Sequence, residues 1–198
     1  MNQSKIPTDL LKYELRNLQI KVAQESRSSY LTFVKKVWPD FIAGKHHKIF
    51  AKKLEDVSRG KIKRLIVNMP PRHTKSEFAS NLFPAWMMGR NPKLKIIQTT
   101  HTAELSYNFG RKVRNLFDQQ EFKDVFPDVS LSQDSKAAGR FTTNKGGEYF
   151  AAGVGGAITG RGADLLIIDD PHSEQDALSQ TAMDNAYEWY TSGPRQRL

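Results

Sequence analysis

The chain has 198 residues, enough for one domain with a buried core, and its 38% hydrophobic and 26% charged residues lie in the usual range for globular domains. It has no cysteine, which excludes disulfides and thiolate metal sites, and no apolar run approaches the ~20 residues of a membrane span. The formal net charge of +9 admits a nucleic-acid partner, because Lys and Arg neutralise phosphates, but the basic residues (Lys35, Lys52, Lys61, Lys93, Lys112 and Lys136 among them) are scattered rather than blocked.

Residues 1–29 are polar and helix-prone, with Leu11, Leu15 and Leu18 on one face, and no apolar signal core precedes them. They are expected to form an N-terminal helical arm ahead of a domain spanning 30–198, in a protein that is not secreted. Phe33, Val34 and Val37 predict a short helix over 30–38, stopped by Pro39. His47, Phe50, Leu54 and Val57 share one face of a second helix, which ends at Gly60.

The apolar run Leu65-Ile66-Val67 predicts a strand over 64–68, followed by Met69-Pro70-Pro71-Arg72-His73-Thr74-Lys75-Ser76 and then an amphipathic helix. Strand, tight loop ending in Lys-Ser, and helix is the layout of a phosphate-binding loop. Neither glycine of G-x-x-x-x-G-K-[ST] is present; Met69 and Thr74 stand in their places. A threonine there requires the loop either to avoid positive φ or to hold it under strain. Pro70 and Pro71 have no N–H, so a cradle must come from Arg72 through Ser76, at a helix N-terminus whose dipole favours an anion. The plainer alternative is a helix that starts after two prolines, with Lys75 solvated.

Phe78, Ala79, Leu82, Phe83 and Trp86 form the stripe of the next helix, and Pro84 predicts a kink near its end. A strand over 95–100 and a helix carrying Leu105, Phe109, Val113, Leu116 and Phe117 follow. This β-α-β-α alternation argues for a parallel sheet flanked by helices. Residues 118–135 read as irregular, and 141–154 as a hairpin around Asn144-Lys145-Gly146-Gly147. The glycines between 153 and 162 do not fit G-x-G-x-x-G and precede a strand instead of following one, so they read as a flexible crossover. Leu165-Leu166-Ile167-Ile168-Asp169-Asp170-Pro171 reads as a central buried strand with two carboxylates at its C-terminal end. Met183, Ala186, Tyr187 and Tyr190 share a face of the last helix. Tyr187, Trp189 and Tyr190 are able to stack on bases, but packing is the preferred use of Tyr187 and Tyr190.

Two strand-end motifs in this order match what phosphoryl transfer needs: cradling amides, a cation on the β/γ-phosphates, a magnesium ion and a carboxylate for the attacking water. Lys75 would reach the phosphates, the Ser76 hydroxyl and Asp169 would hold Mg²⁺, and Asp170 would act as base.

With these residues the chain resembles the ATPase domain of large terminase subunits, the DNA-packaging motors of tailed bacteriophages. The likeness lies in Pro70 to Ser76, in Phe83-Pro84-Ala85-Trp86, and in Thr159-Gly160-Arg161-Gly162 ahead of Leu166 to Pro171. The stretch from Trp38 to His47 and the pair Trp189-Tyr190 also fit, so the resemblance covers roughly 30–198. It implies an α/β P-loop NTPase fold of the ASCE/RecA-like kind, a mostly parallel sheet flanked by helices. It implies ATP and Mg²⁺ as cofactors, bound through Arg72, His73, Thr74, Lys75, Ser76 and Glu77, with His47 in the region where such ATPases contact adenine. Asp170 takes the place of a catalytic carboxylate that is commonly glutamate, with Glu174 in reserve. Arg161, and after it Arg140, are candidates to complete a neighbour's site in a ring, while Arg72 could serve its own subunit. Double-stranded DNA, a portal protein and a small terminase subunit are the implied partners, in the cytoplasm of an infected bacterial host and without a membrane.

Related motors carry a further strand between the two motif strands, then a nuclease domain. Neither is found in the sequence, so the chain is expected to be the N-terminal piece of a longer protein, with a gap or abnormal pairing in its sheet between 64–68 and 165–169. A helicase-like or RecA-like ATPase, and a nucleic-acid-binding module with an inactive nucleotide site, are the competing readings.

Overall fold

A computed structural model describes residues 8–158 and 160–198, apart from the side chain of Lys136; Thr159, one of the residues behind the resemblance, lies outside the described residues, as does the start of the N-terminal arm. The chain opens with three helices, α1 (Thr8–Ser28), α2 (Tyr30–Val37) and α3 (Lys45–Ser58). Ser29 caps α2 by accepting from the Thr32 N–H at 3.3 Å. Only the end of α1 is anchored: Trp86 Nε1 donates to Ser26 O at 2.8 Å, and Arg27 Nε to Val125 O at 2.7 Å. Its Leu11, Leu15 and Leu18 face remains exposed.

A π-helical turn, Glu77–Leu82, runs into α4 (Phe83–Arg90). Pro84 therefore sits mid-run at the start of α4, not near the helix end as the sequence suggests. There its missing N–H coincides with the change of hydrogen-bond register. The Phe78 carbonyl at this turn accepts from the Phe83 N–H and from the hydroxyl of Tyr30, the latter at 2.6 Å. Tyr30 is fully buried, and burial first, with the charge of Glu77 second, pushes its phenol well above the ordinary value.

Strand β1 (Lys95–Thr100), helix α5 (Ala103–Leu116), helix α6 (Gln120–Val125), then β2 (Leu131–Ala137), β3 (Arg140–Thr143), β4 (Glu148–Gly153), β5 (Leu165–Ile168) and α7 (Gln180–Ser192) complete the fold. The five strands form one mixed sheet in the order β2-β3-β4-β1-β5. β1 is parallel to both β4 and β5, whereas β3 is antiparallel to β4 and to β2. The result is an α/β architecture whose sheet is half parallel, where a mostly parallel one was expected. The β3–β4 hairpin stands where the alternation put it. The main core lies between the helices and one face of the sheet, around Tyr30, Phe33, Phe78, Trp86, Phe122 and Tyr149.

Three further expectations change. Residues 118–135 are not irregular: they supply α6 and most of β2. Residues 64–68 form no strand, although Leu65, Val67 and Met69 lean on the core while Ile66 is 87% exposed. That is strand-like alternation without a ladder partner, so the backbone pairing that defines a strand is missing. For the same reason β5 is an edge, not a central buried strand: it pairs with β1 alone, and its residues are half-buried or exposed. Neither 64–68 nor the outer edge of β5 has a ladder partner among the described residues. On α7, Met183 and Tyr187 face solvent, and the more covered side carries Ala182, Ala186, Trp189 and Tyr190. Packing is therefore not what Tyr187 does.

Candidate functional site at the strand ends

The carboxyl ends of β1 and β5 lie side by side, and their pairing continues past the strands. Asp169 N–H donates to Thr99 O at 2.9 Å, and His101 N–H donates to Asp170 O at 3.2 Å. Carboxyl ends of adjacent parallel strands are where open α/β sheets place ligands. The 69–76 loop arrives at the same place from the opposite direction in sequence. Lys75 Nζ stands 2.5 Å from Asp170 Oδ1 and 3.4 Å from Asp169 Oδ1, joining residues 95 positions apart. Burial works against the charge on Lys75, but the hydrogen bond to Asp170 and the field of both carboxylates outweigh it and raise its pKa.

The two carboxylates differ. Asp169 is buried, and its Oδ2 accepts from Ser80 Oγ at 2.7 Å. Asp170 is largely exposed, at 65%, with φ of 46°, a left-handed conformation that aspartate tolerates better than most residues. One carboxylate is thus fixed in the wall of the site and the other projects from its rim.

The loop itself is strained where glycine is absent. Arg72 and Thr74 both have φ of 62°. For β-branched Thr74 this is a genuine outlier, costing on the order of 1–3 kcal/mol and persisting only where the surroundings enforce it. The amides from Arg72 to Ser76 stand at the start of the following helix, where N–H groups without intrahelical partners suit an anion. The Thr74 carbonyl begins the helical bonding by accepting from Phe78 N–H at 2.9 Å. His47, buried in the wall behind the loop between Phe41 and Phe78, meets Thr74 Oγ1 at 2.7 Å through Nε2.

The other residues singled out in the sequence fall as follows. Ser76 is half-buried at the helix start, and its hydroxyl has no protein partner among the described residues. Arg72 is exposed without an ion-pair partner among them, and His73 Nδ1 meets Pro71 O at 2.9 Å. Glu77 braces the loop helix, accepting from Asn81 Nδ2 at 2.7 Å and Lys112 Nζ at 3.1 Å. Glu174 is exposed and touches none of the site's side chains.

Arg161 and Arg140 are not at this end of the sheet. Both pair with Glu148, Arg161 through Oε1 and Arg140 through Oε2, the latter at 3.2 Å, and the Arg161 guanidinium lies 3.9 Å over the Phe150 ring. Glu148 opens β4 opposite Lys95, the first residue of β1, and Phe150 lies opposite Ile97, which sets both arginines back from the Asp169 end by about 10–15 Å along the strands.

Ser80 is a site-shaping residue that sequence reasoning missed. Ser80-Asn81 interrupts the apolar run of the loop helix, and a polar pair buried in such a stripe was the available signal.

Among the described residues no three acidic or imidazole groups converge to hold a metal. The oxygen donors present, a hydroxyl and one or two carboxylates, suit a magnesium ion whose remaining ligands are phosphate oxygens and water. The chain matches no protein-family model and no curated protein. No helix among the described residues is long and apolar enough to cross a membrane.

Proposed function

We propose that the chain is a magnesium-dependent ATPase with a glycine-free phosphate loop, the motor domain of a terminase-type machine that drives double-stranded DNA into a procapsid. The observation that carries the triphosphatase reading is the meeting of Lys75 with Asp169 and Asp170 at the strand ends. A solvated lysine after two prolines would have no reason to be there. The packaging role is supported by the residues that resemble terminases, and the fold is then an ASCE P-loop sheet that lacks a strand beside β5.

In this reading Lys75 exchanges the carboxylates for the β/γ-phosphates, and the amides from Arg72 to Ser76 cradle them. Ser76 and Asp169 hold Mg²⁺, which offsets charge on the phosphate oxygens when bound. Ser80 keeps Asp169 oriented for that role. Asp170, released by Lys75, takes the proton of the attacking water as its oxygen bonds to the γ-phosphorus and the bond to the β-phosphate oxygen breaks. Arg161 serves a neighbouring subunit, exchanging Glu148 for phosphate. The portal and the small terminase subunit remain the implied partners.

Titration of the chain with a fluorescent ATP analogue tests the reading. Saturable binding that requires Mg²⁺ is expected, weakened at least about tenfold by Lys75→Ala, the scale of a lost charge-assisted contact. Absence of binding by the unsubstituted chain overturns it.

A further inference from the structure

Thr74 occupies the glycine position of the loop in a left-handed conformation, so something other than its own preference must keep it there. The hydrogen bonds around His47 form a directed chain. Gly44 N–H donates to His47 Nδ1 at 3.0 Å, so that nitrogen carries no proton and the neutral ring bears it on Nε2. Nε2–H then donates to Thr74 Oγ1 at 2.7 Å, and the Thr74 hydroxyl donates onward to His73 O at 2.6 Å. The ring cannot swing away: it is 7% exposed, 4.8 Å from Phe41 edge-on and stacked at 5.2 Å on Phe78.

We propose that His47 is a positioning residue for phosphate binding: its Nε2–H clamps Thr74 Oγ1 and holds the loop in the conformation that glycine adopts freely. The inference rests on the phosphate-loop reading for its function, although the clamp itself is a property of the nucleotide-free chain. His47 acts through Thr74. It explains how a threonine replaces the usual glycine without loss of the cradle, and why that threonine carries a hydroxyl: valine has the same shape but nothing for His47 to hold.

A double-mutant cycle tests the clamp. His47→Phe keeps the ring packed between Phe41 and Phe78 but removes the N–H; His47→Gln keeps an N–H near the Nε2 position. Each is made with Thr74 and with Thr74→Gly, and two quantities are read on the full chain. One is affinity for the fluorescent ATP analogue with Mg²⁺; the other is hydrogen exchange, without nucleotide, of the Phe78 amide that is bonded to the Thr74 carbonyl. With Thr74, His47→Phe is expected to weaken binding and speed exchange by ~tenfold, within the coupling range of residues in direct contact, and His47→Gln to recover most of both. With Thr74→Gly the same substitution is expected to change either by less than about twofold, because glycine needs no clamp.

Equal effects of His47→Phe in the two backgrounds, failure of glutamine to rescue, or unchanged exchange would overturn the clamp and leave His47 as core packing. If the unsubstituted chain binds no nucleotide but exchange shows the expected non-additivity, the ATPase reading fails and the clamp stands.

Discussion

At the scale of single residues, the site is built from polar groups that are made to face inward. His47 is the clearest case. Burial lowers its pKa below the ordinary 6.5, and the like charges of His46, its neighbour on α3, and of His73 from the loop lower it further. Phe41 and Phe78 complete its surroundings and do not titrate. The folded ring therefore stays neutral while the unfolded one takes up a proton, so the unfolded state binds more protons as pH falls through about 6.5, and stability falls with it. Protonation would also put a hydrogen on Nδ1 and break the bond from Gly44 N–H. Urea unfolding at about pH 7.5 and 5.5 should show the chain losing more stability on acidification than its His47→Phe variant. An equal loss would mean that His47 is protonated as easily folded as unfolded.

At the scale of elements, the amphipathic helices were legible because a buried stripe repeats at the helical period. His47, Phe50 and Leu54 on α3, and Phe33 and Val34 on α2, are buried as their spacing required. β2 was not, because Leu131-Ser132-Gln133-Asp134-Ser135-Lys136-Ala137 has the polar surface of an edge strand and a shifted register opposite β3. Residues 64–68 misled for the opposite reason: their apolar run is real, but a strand also needs a partner, and no local pattern reports one. How closely elements approach is equally hidden. A Cβ on Gly110 of α5 would lie 2.1 Å from the Ala138 carbonyl oxygen, in the turn between β2 and β3. Because the obstacle is backbone, relief requires α5 to lift from the sheet. Gly110→Ala should therefore destabilise by about 1–3 kcal/mol despite the better helix propensity of alanine, measured by urea unfolding. No loss would place α5 further from the β2–β3 turn.

At the scale of the molecule, the order of the strands decides which parts are held most firmly. β1 has neighbours on both sides and five of its six residues buried, whereas β5 has one neighbour and α7 has no fully buried residue. The sequence suggests a different ranking, since Leu165 to Ile168 is the most apolar stretch in the chain and reads as the centre of a sheet. Composition reports what a strand is able to bury; topology reports what lies beside it. The candidate site was legible for a related reason: Lys75 and the Asp169-Asp170 pair are each fixed at the end of a local motif, so their chemistry survives an error about the strand in between. Amide exchange separates the two rankings. With β5 at an edge, 165–168 and 180–192 should exchange well before 95–100 and 148–153, since local opening follows the contacts that must be broken. Protection of 165–168 equal to that of 95–100 would mean that β5 is paired on both sides in solution, with 64–68 or with another strand, and that the open edge is filled.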